Sequence, residues 1–441
     1  MSSAVHVLAQ VAFVGLLIGL PALYLVYSDR FRQFPEPREF AILFGVVLIA
    51  AVLMSIPALA VVAATALLSI GLARLTAGSG LSGLTYTQEL IPSRLFPGDE
   101  AELVVRLENR KLLPLGWLHV VDTIHFRSVR NDHRLADVLG FSGGVERTGT
   151  NQFSLVIDAA LGPYGSLTRR YRIKALRRGV YTLGPATASS GDPFGMFQTE
   201  GTLGEPLEIV VYPNVYTPGE PGMPFRDAMG ELIPQRALLE DPTLLAGSRE
   251  YRPGDPLHKM HWKATARSGE LQVRVCDPST TANLLILLNI NTYDYLWEGI
   301  NVERMEAAID AAASLAVWGL EKGYAVGLNA NGSAMGQEGW TRILPSAHLS
   351  QTAAILDRLA RISAASRYPA QDLLSDESLR LDARTSVLFV TPVISPPTIP
   401  ILTGRRLRDR VAIVYVGDVA PPAVPGVPIH HLFPRVVRAA S

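Results

Sequence analysis

The sequence predicts N-terminal transmembrane helices, then an all-β sandwich-like (immunoglobulin-like) domain, then a doubly wound α/β domain. Three patterns predict this order. Residues 1–76 hold two long apolar runs, residues 84–215 alternate apolar and polar side chains between Gly/Pro turns, and residues 283–441 alternate apolar strands with helical periodicity.

The anchor comes first. Residues 7–27 are almost wholly apolar, with Gln10 the one clearly polar side chain, and are long enough to cross a bilayer. No Lys or Arg precedes them and no small-residue cleavage site stands out, which argues against a cleaved leader. A polar loop with Arg30, Arg32 and Arg38 follows. Residues 40–72 then run 33 residues without a charge, interrupted at Ser55-Ile56-Pro57. They read as a helical hairpin broken at Pro57, with spans at about 40–56 and 58–73. One kinked helix is the alternative. The arginine loop belongs in the cytoplasm by the positive-inside rule, so the hairpin predicts a multi-pass cell-membrane protein with cytoplasmic soluble domains. The single helix puts those domains on the other side. Gly78-Ser79-Gly80-Leu81-Ser82-Gly83 fits a dinucleotide-binding pattern but follows a membrane segment, not a strand, and is expected to be a flexible linker.

In the β region, Leu103, Val105 and Leu107 alternate with Glu102, Val104 and Arg106, and Phe153, Leu155, Ile157, Tyr171 and Ile173 continue the pattern. Turns at Pro97-Gly98, Gly143-Gly144, Gly162-Pro163 and Gly191-Asp192-Pro193 suit a sandwich. Residues 216–246 read as a Pro- and Gly-rich linker. From residue 283, Asn-Leu-Leu-Ile-Leu-Leu-Asn-Ile reads as a buried parallel strand. A helix over 302–322 follows, with Met305, Ile309, Ala312, Ala316 and Leu320 on one stripe. Strands at 324–328, 386–390 and 411–415 and a helix over 349–362 complete a mostly parallel sheet.

Composition narrows the function. Lys plus Arg and Asp plus Glu are each 40, so the basic footprint of a nucleic-acid binder is missing. One cysteine, Cys276, excludes an intrachain disulfide and a multi-thiolate metal site, and reads as a small buried residue. His258 and His261 have no group to orient them toward Cys276 as a nucleophile pair. His430-His431 reads as a surface pair or strand end, and Asn331-Gly332-Ser333 as a turn that also fits a glycosylation sequon.

The densest chemistry lies in residues 247–282. Arg249, Glu250, Tyr251, Arg252, Gly254, Asp255, His258, Lys259, His261, Trp262, Lys263 and Arg267 crowd between a Pro253-Gly254-Asp255 turn and a strand carrying Leu271, Val273 and Val275. Three readings stay open. Arg249, Glu250 and Asp255 form an ion-pair network bracing the two soluble domains, with Trp262 packed beneath. Alternatively, Arg252, His258, Lys259 and Lys263 present a cationic patch to a partner. The third is an enzyme centred on Asp255, His261 and Lys263.

This segment resembles the signature of the domain-of-unknown-function 58 proteins, roughly G-x-R-E-Y-x-P-G-D-x-x-R-x-I-x-W-K-x-x-A-R. Gly247, Arg249, Glu250, Tyr251, Pro253, Gly254, Asp255, Trp262, Lys263, Ala266 and Arg267 match it, while Lys259 replaces the usual Arg and Met260 the usual Ile. Arg177-Arg178-Gly179-Val180-Tyr181-Thr182-Leu183-Gly184-Pro185 and Asp192-Pro193-Phe194-Gly195-Met196-Phe197 are similar to two further strings of that family. The resemblance implies a von Willebrand factor type A-like C-terminal domain. That domain's metal site is an Asp-x-Ser-x-Ser run plus a later Thr and Asp, and its matching positions here are Asn289, Asn291 and Tyr293, with Thr391-Pro392 after the strand over 386–390. The expectation is a degenerate site with no metal and no cofactor. Asp294 reads as a turn residue rather than a shifted ligand. The resemblance further implies a MoxR-type AAA+ ATPase as partner. The implied role is a non-enzymatic membrane adaptor or assembly factor for such an ATPase and for envelope-associated proteins. A hydrolase or small-ligand-binding enzyme is the alternative.

Overall fold

The computed structural model describes residues 37–126, 139–142, 145–147, 153–192, 197–216, 245–252, 260–276, 283–334, 340–366, 368–381 and 385–432. The expected span at 7–27, most of the expected linker, and Gly254, Asp255, His258 and Lys259 lie outside them.

Helices α1 (Pro37–Leu53) and α2 (Pro57–Gly78) pack against each other as a hairpin. Pro57 opens α2, where its missing N–H is no loss, and Ser55 at φ 54° turns the chain just before it. Among the described residues one helix is long and apolar enough to cross a membrane: Pro57–Leu75, 19 residues at mean hydropathy 2.0. The apolar part of α1, Phe40–Leu53, is shorter than that. Three spans were expected; the described residues supply one of spanning length.

The sandwich is built from β1 (Leu84–Ile91), β2 (Arg94–Leu95), β3 (Glu100–Asn109), β4 (Leu115–Phe126), β5 (Leu139–Ser142), β6 (Val145–Arg147), β7 (Phe153–Leu161), β8 (Ser166–Ala175), β9 (Gly179–Leu183), β10 (Ala186–Gly191), β11 (Gln198–Leu203) and β12 (Leu207–Val211). One sheet runs β1-β3-β8-β5; the other runs β11-β10-β4-β9-β12-β2, with β7 on β4 and β6 on β7. Pairing is antiparallel except for the short β2–β12 contact. Ala101, Leu103, Val105 and Leu107 of β3 face inward toward Leu118, Ile124, Leu155 and Tyr181, so the period-two pattern does set the buried face.

The stretch after α2 was expected to be a flexible linker. Instead it is fastened to the sandwich. Lys111 Nζ donates to the carbonyls of Ser79 and Gly80, Thr199 Oγ1 donates to Ala77 O at 2.9 Å, and Leu81 packs against the sandwich core.

Two antiparallel strands, β13 (Leu245–Glu250) and β14 (Gln272–Cys276), flank the short helix α3 (Trp262–Ser268). The α/β domain follows with β15 (Asn283–Leu288), α4 (Val302–Glu321), β16 (Ala325–Ala330), β17 (Gly332–Ala334), β18 (Thr341–Ser346), α5 (Gln351–Arg361), β19 (Ile362–Ser366), α6 (Ala370–Arg380), β20 (Thr385–Thr391), α7 (Ile399–Leu402), β21 (Val411–Val416) and β22 (Ile429–Leu432). The main sheet runs β18-β16-β15-β20-β21-β22, parallel except for β18. Helices cover both faces. Leu284, Ile286 and Leu288 of β15 pack with α4 and α5, while Leu285 and Leu287 pack with α6 and α7. That double burial explains the continuous apolar run. Val210 and Tyr212, at the end of β12, enter the same core as α4, so the two soluble domains share apolar packing.

Candidate functional site

The junction between sandwich and α/β domain is held by residues outside the signature segment. Arg178, just before β9, is buried and its guanidinium forks Glu306 of α4, Nε to Oε2 at 2.7 Å and Nη2 to Oε1 at 2.6 Å. Its Nη1 donates to the carbonyls of Leu359, Ala360 and Ile362 at 2.6, 3.1 and 3.0 Å, where α5 ends and β19 begins and the helix dipole favours a cation. Asn214 donates through its main-chain N–H and its amide to the two oxygens of Asp310, at 2.9 and 3.0 Å. Burial pushes Asp310 up to about 7, with the Asn214 amide opposing the shift. Arg361 adds a bidentate pair to Glu208 at 2.7 and 2.8 Å on the rim.

The signature segment is organised around its own small core. Met260 bridges to Val273, and both are buried. His261 caps α3, its Nδ1 accepting from Ala264 N–H at 2.9 Å, and Thr265 Oγ1 accepts from Gln272 N–H at 3.0 Å. Gly269, at φ 77°, closes the helix in the left-handed conformation that glycine adopts without a Cβ penalty. Trp262, expected to pack beneath a bracing network, is 66% exposed instead: it opens α3, a helix with no buried residue. Arg249, Glu250, Arg252, Lys263 and Arg267 are also exposed, and Tyr251 is half-buried. Leu271 precedes β14 and is exposed, whereas Val273 faces inward. Arg249 Nη1 bonds to the Glu250 carbonyl at 3.0 Å. Asp255 and Lys259 fall outside the described residues, so the expected Arg249–Glu250–Asp255 network is described only at its first two members.

The third feature sits at the carboxyl ends of the parallel strands. From β15 the chain winds to β16 on one side, then returns to β20 on the other, which makes the β15/β20 edge the topological switch point. There Asn289 Nδ2 donates to Thr391 Oγ1 at 2.9 Å, and its Oδ1 accepts from Asn291 N–H at 3.1 Å and Asn331 Nδ2 at 2.8 Å. Asn331 Oδ1 accepts from Ile290 N–H at 2.8 Å, and the amides of Asn291 and Asn331 both donate to Tyr368 O. The cluster is neutral, built of amides and a hydroxyl. Among the described residues no three or more His, Cys, Asp or Glu side chains converge as a metal site. On the loop beyond, Tyr295 stacks on Trp297 at 5.5 Å and 17°, with Trp297 81% exposed. Tyr293 is exposed as well.

Residues 247–396 match the family model described as "Protein of unknown function DUF58". The match is to this segment, the DUF58 segment, and not to the whole chain. It runs from the start of the signature through β20 and so contains both the Trp262 surface and the switch-point amides. No curated protein matches the chain. Among solved structures it is similar to the CARDB domain of the PF1109 protein from Pyrococcus furiosus, at 15% identity, covering 29% of this chain and 86% of that one, TM-score 0.18. It is also similar to a cohesin module of a Clostridium perfringens family 33 glycoside hydrolase, at 14% identity, 29% and 96% coverage and TM-score 0.21. Likenesses at these TM-scores carry no functional argument.

Sequence reasoning missed Arg178, Glu306 and Asp310 as the interdomain tie and read Asn331 as a turn. Asn331 is fully buried, which leaves no room for a glycan on its amide. A repeated Asn-x-Asn was the available signal: Asn289-Ile290-Asn291 directly follows β15, and Asn329-Ala330-Asn331 spans the end of β16.

Proposed function

We propose that the chain is a membrane-anchored, non-enzymatic docking protein that offers the DUF58 segment to a protein partner. A MoxR-type AAA+ ATPase is the partner class that the family resemblance implies, with envelope-associated proteins as its further associates. The observation that carries the reading is Trp262, 66% exposed on a segment that also exposes Arg252, Lys263 and Arg267 while it buries Met260 and Val273. Exposed Trp and Arg side chains on a rigid element are the residue types that dominate protein–protein binding energy. The amide-filled switch point supports a metal-free, von Willebrand type A-like scaffold. His261 Nδ1 is engaged in capping α3, which favours docking over an enzyme using Asp255, His261 and Lys263. The anchor is the α1–α2 hairpin within a multi-pass arrangement, with the soluble domains in the cytoplasm, where an ATPase reaches them.

Capture of a MoxR-type ATPase from the same cell by the detergent-solubilised full chain tests this, with and without ATP. An Arg252→Ala, Lys259→Ala variant runs alongside. The proposal expects nucleotide-dependent capture that the folded variant loses; no capture by wild type in any nucleotide state overturns it.

A further inference from the structure

One end of the sandwich carries an apolar tip that no part of the docking reading uses. The β3–β4 loop, Arg110-Lys111-Leu112-Leu113-Pro114, and the β7–β8 turn, Gly162-Pro163-Tyr164-Gly165, are locked to each other. Tyr164 N–H donates to Lys111 O at 3.1 Å, and Asn109 Nδ2 donates to Leu113 O and Gly162 O at 3.0 and 2.9 Å. The rigid frame turns apolar side chains outward: Leu112 is 72% and Tyr164 69% exposed, and Leu113 is exposed beside them. Tyr164 is held at φ 53°, a conformation non-glycine residues seldom adopt. A soluble domain gains nothing from fixing leucines and a tyrosine in water.

The position of the tip identifies what covers it. Arg110 N–H donates to Gly83 O at 2.8 Å, and Lys111 Nζ donates to the carbonyls of Ser79 and Gly80. The spanning window of α2 ends at Leu75, four residues before Ser79. A helix that leaves the bilayer at Leu75 therefore sets the tip at the depth of the lipid headgroups. The charges agree. Arg74 is exposed in the last turns of α2, and Arg110 is exposed and shared with Glu108 at 3.2 Å. Tyrosine at headgroup depth and arginine beside lipid phosphate are the side chains this boundary favours.

We propose that the Leu112–Leu113 and Tyr164 tip seats the sandwich on the bilayer surface, with the leucines at the acyl boundary and Arg74 and Arg110 facing lipid phosphates. This rests on reading α2 as a membrane span. The seat fixes the sandwich, and through the Arg178 tie the DUF58 segment, at a set height above the lipid.

The test uses the full chain in vesicles of mixed phosphatidylcholine and phosphatidylglycerol. Single cysteines at Leu112→Cys, Leu68→Cys and Leu349→Cys are introduced into a Cys276→Ala background, or Cys276→Val where alanine unfolds it. Each carries an environment-sensitive fluorophore and is quenched by nitroxides on the lipid headgroup or deep in the acyl chain. The deep nitroxide should quench position 68, and the headgroup nitroxide should quench position 112 several-fold more than position 349, whose leucine is 96% exposed. Quenching at 68 with 112 no different from 349 overturns the seat and leaves the span standing. No quenching at 68 overturns the span, and the seat falls with it.

Discussion

The guanidinium of Arg178 is buried against Glu306, bonded to both carboxylate oxygens at 2.6 and 2.7 Å across the interface between the sandwich and the α/β domain. Removing one partner of such a pair strands the other. Arg178→Ala leaves Glu306 facing Asp310 without a counter-charge and takes the guanidinium donor from three carbonyls at the end of α5. The expected loss is roughly 3–5 kcal/mol. Arg178→Lys restores little, since an ammonium cannot fork a carboxylate and reach the carbonyls together. Arg361→Ala, on the half-exposed Glu208 pair at the rim, costs less than about 1 kcal/mol. Denaturant unfolding of the three variants in the same detergent checks the ranking.

Two buried carboxyls give the fold a pH dependence of definite sign. Asp122 of β4 accepts from Tyr86 Oη at 2.5 Å and from Gln88 Nε2, joining the two sheets, and burial raises it to about 6 despite the Tyr86 bond. Asp310 is raised to about 7, also by burial first. A carboxyl whose folded pKa exceeds its unfolded one favours the folded state most when protonated. Its contribution is full below about 4 and is lost as pH rises through about 6 for Asp122 and about 7 for Asp310. The stability advantage of wild type over Asp310→Asn therefore shrinks from about pH 4 to about pH 7 and levels off above that. For Asp122→Asn the decline starts at the same pH, ends at about 6 and is smaller in total. Thermal unfolding across pH reads both, and an advantage that grows with pH would contradict the assignment.

The switch-point amides are tied to one another and to the ends of β15, β16 and β20. Asn331→Ala removes bonds to Ile290 N–H, Asn289 Oδ1 and Tyr368 O in a buried network, at an expected cost of roughly 2–4 kcal/mol. Asn289→Asp restores the acidic residue of the type A pattern but takes the amide donor from Thr391 Oγ1. Its unfolding midpoint should fall, and millimolar Mg2+ should leave it unchanged. A Mg2+-dependent rise would mean the cluster is closer to a metal site than its neutral side chains imply.

How far the sequence carried the fold depended on periodicity. Leu103, Val105 and Leu107 alternate because one face of β3 is buried, and Leu284 to Leu288 run unbroken because both faces of β15 are covered; both patterns are visible in the chain itself. The Pro57 break falls between α1 and α2 for a local reason, the cost of proline inside a helix. What stayed hidden was long-range. Arg178 meets residues 128 to 184 positions away, and no local pattern announces that separation. Lys111 reaching back to Ser79 turned an expected flexible linker into a fixed joint by the same kind of contact. In the signature segment the dense charges looked equally suited to a brace or a surface. Burial was not legible there: Trp262 is left to solvent, and an interdomain tie is made by Arg178.

The central claim is that the exposed Trp262 surface docks a partner. It is tested most directly by the affinity of the full chain for a MoxR-type ATPase, wild type against Trp262→Ala, with thermal unfolding of both measured alongside. Truncating an anchoring tryptophan costs at least about 2 kcal/mol of binding, so the account predicts a Kd weakened by roughly 30-fold or more with unfolding unchanged. Equal affinity for the two chains would contradict it.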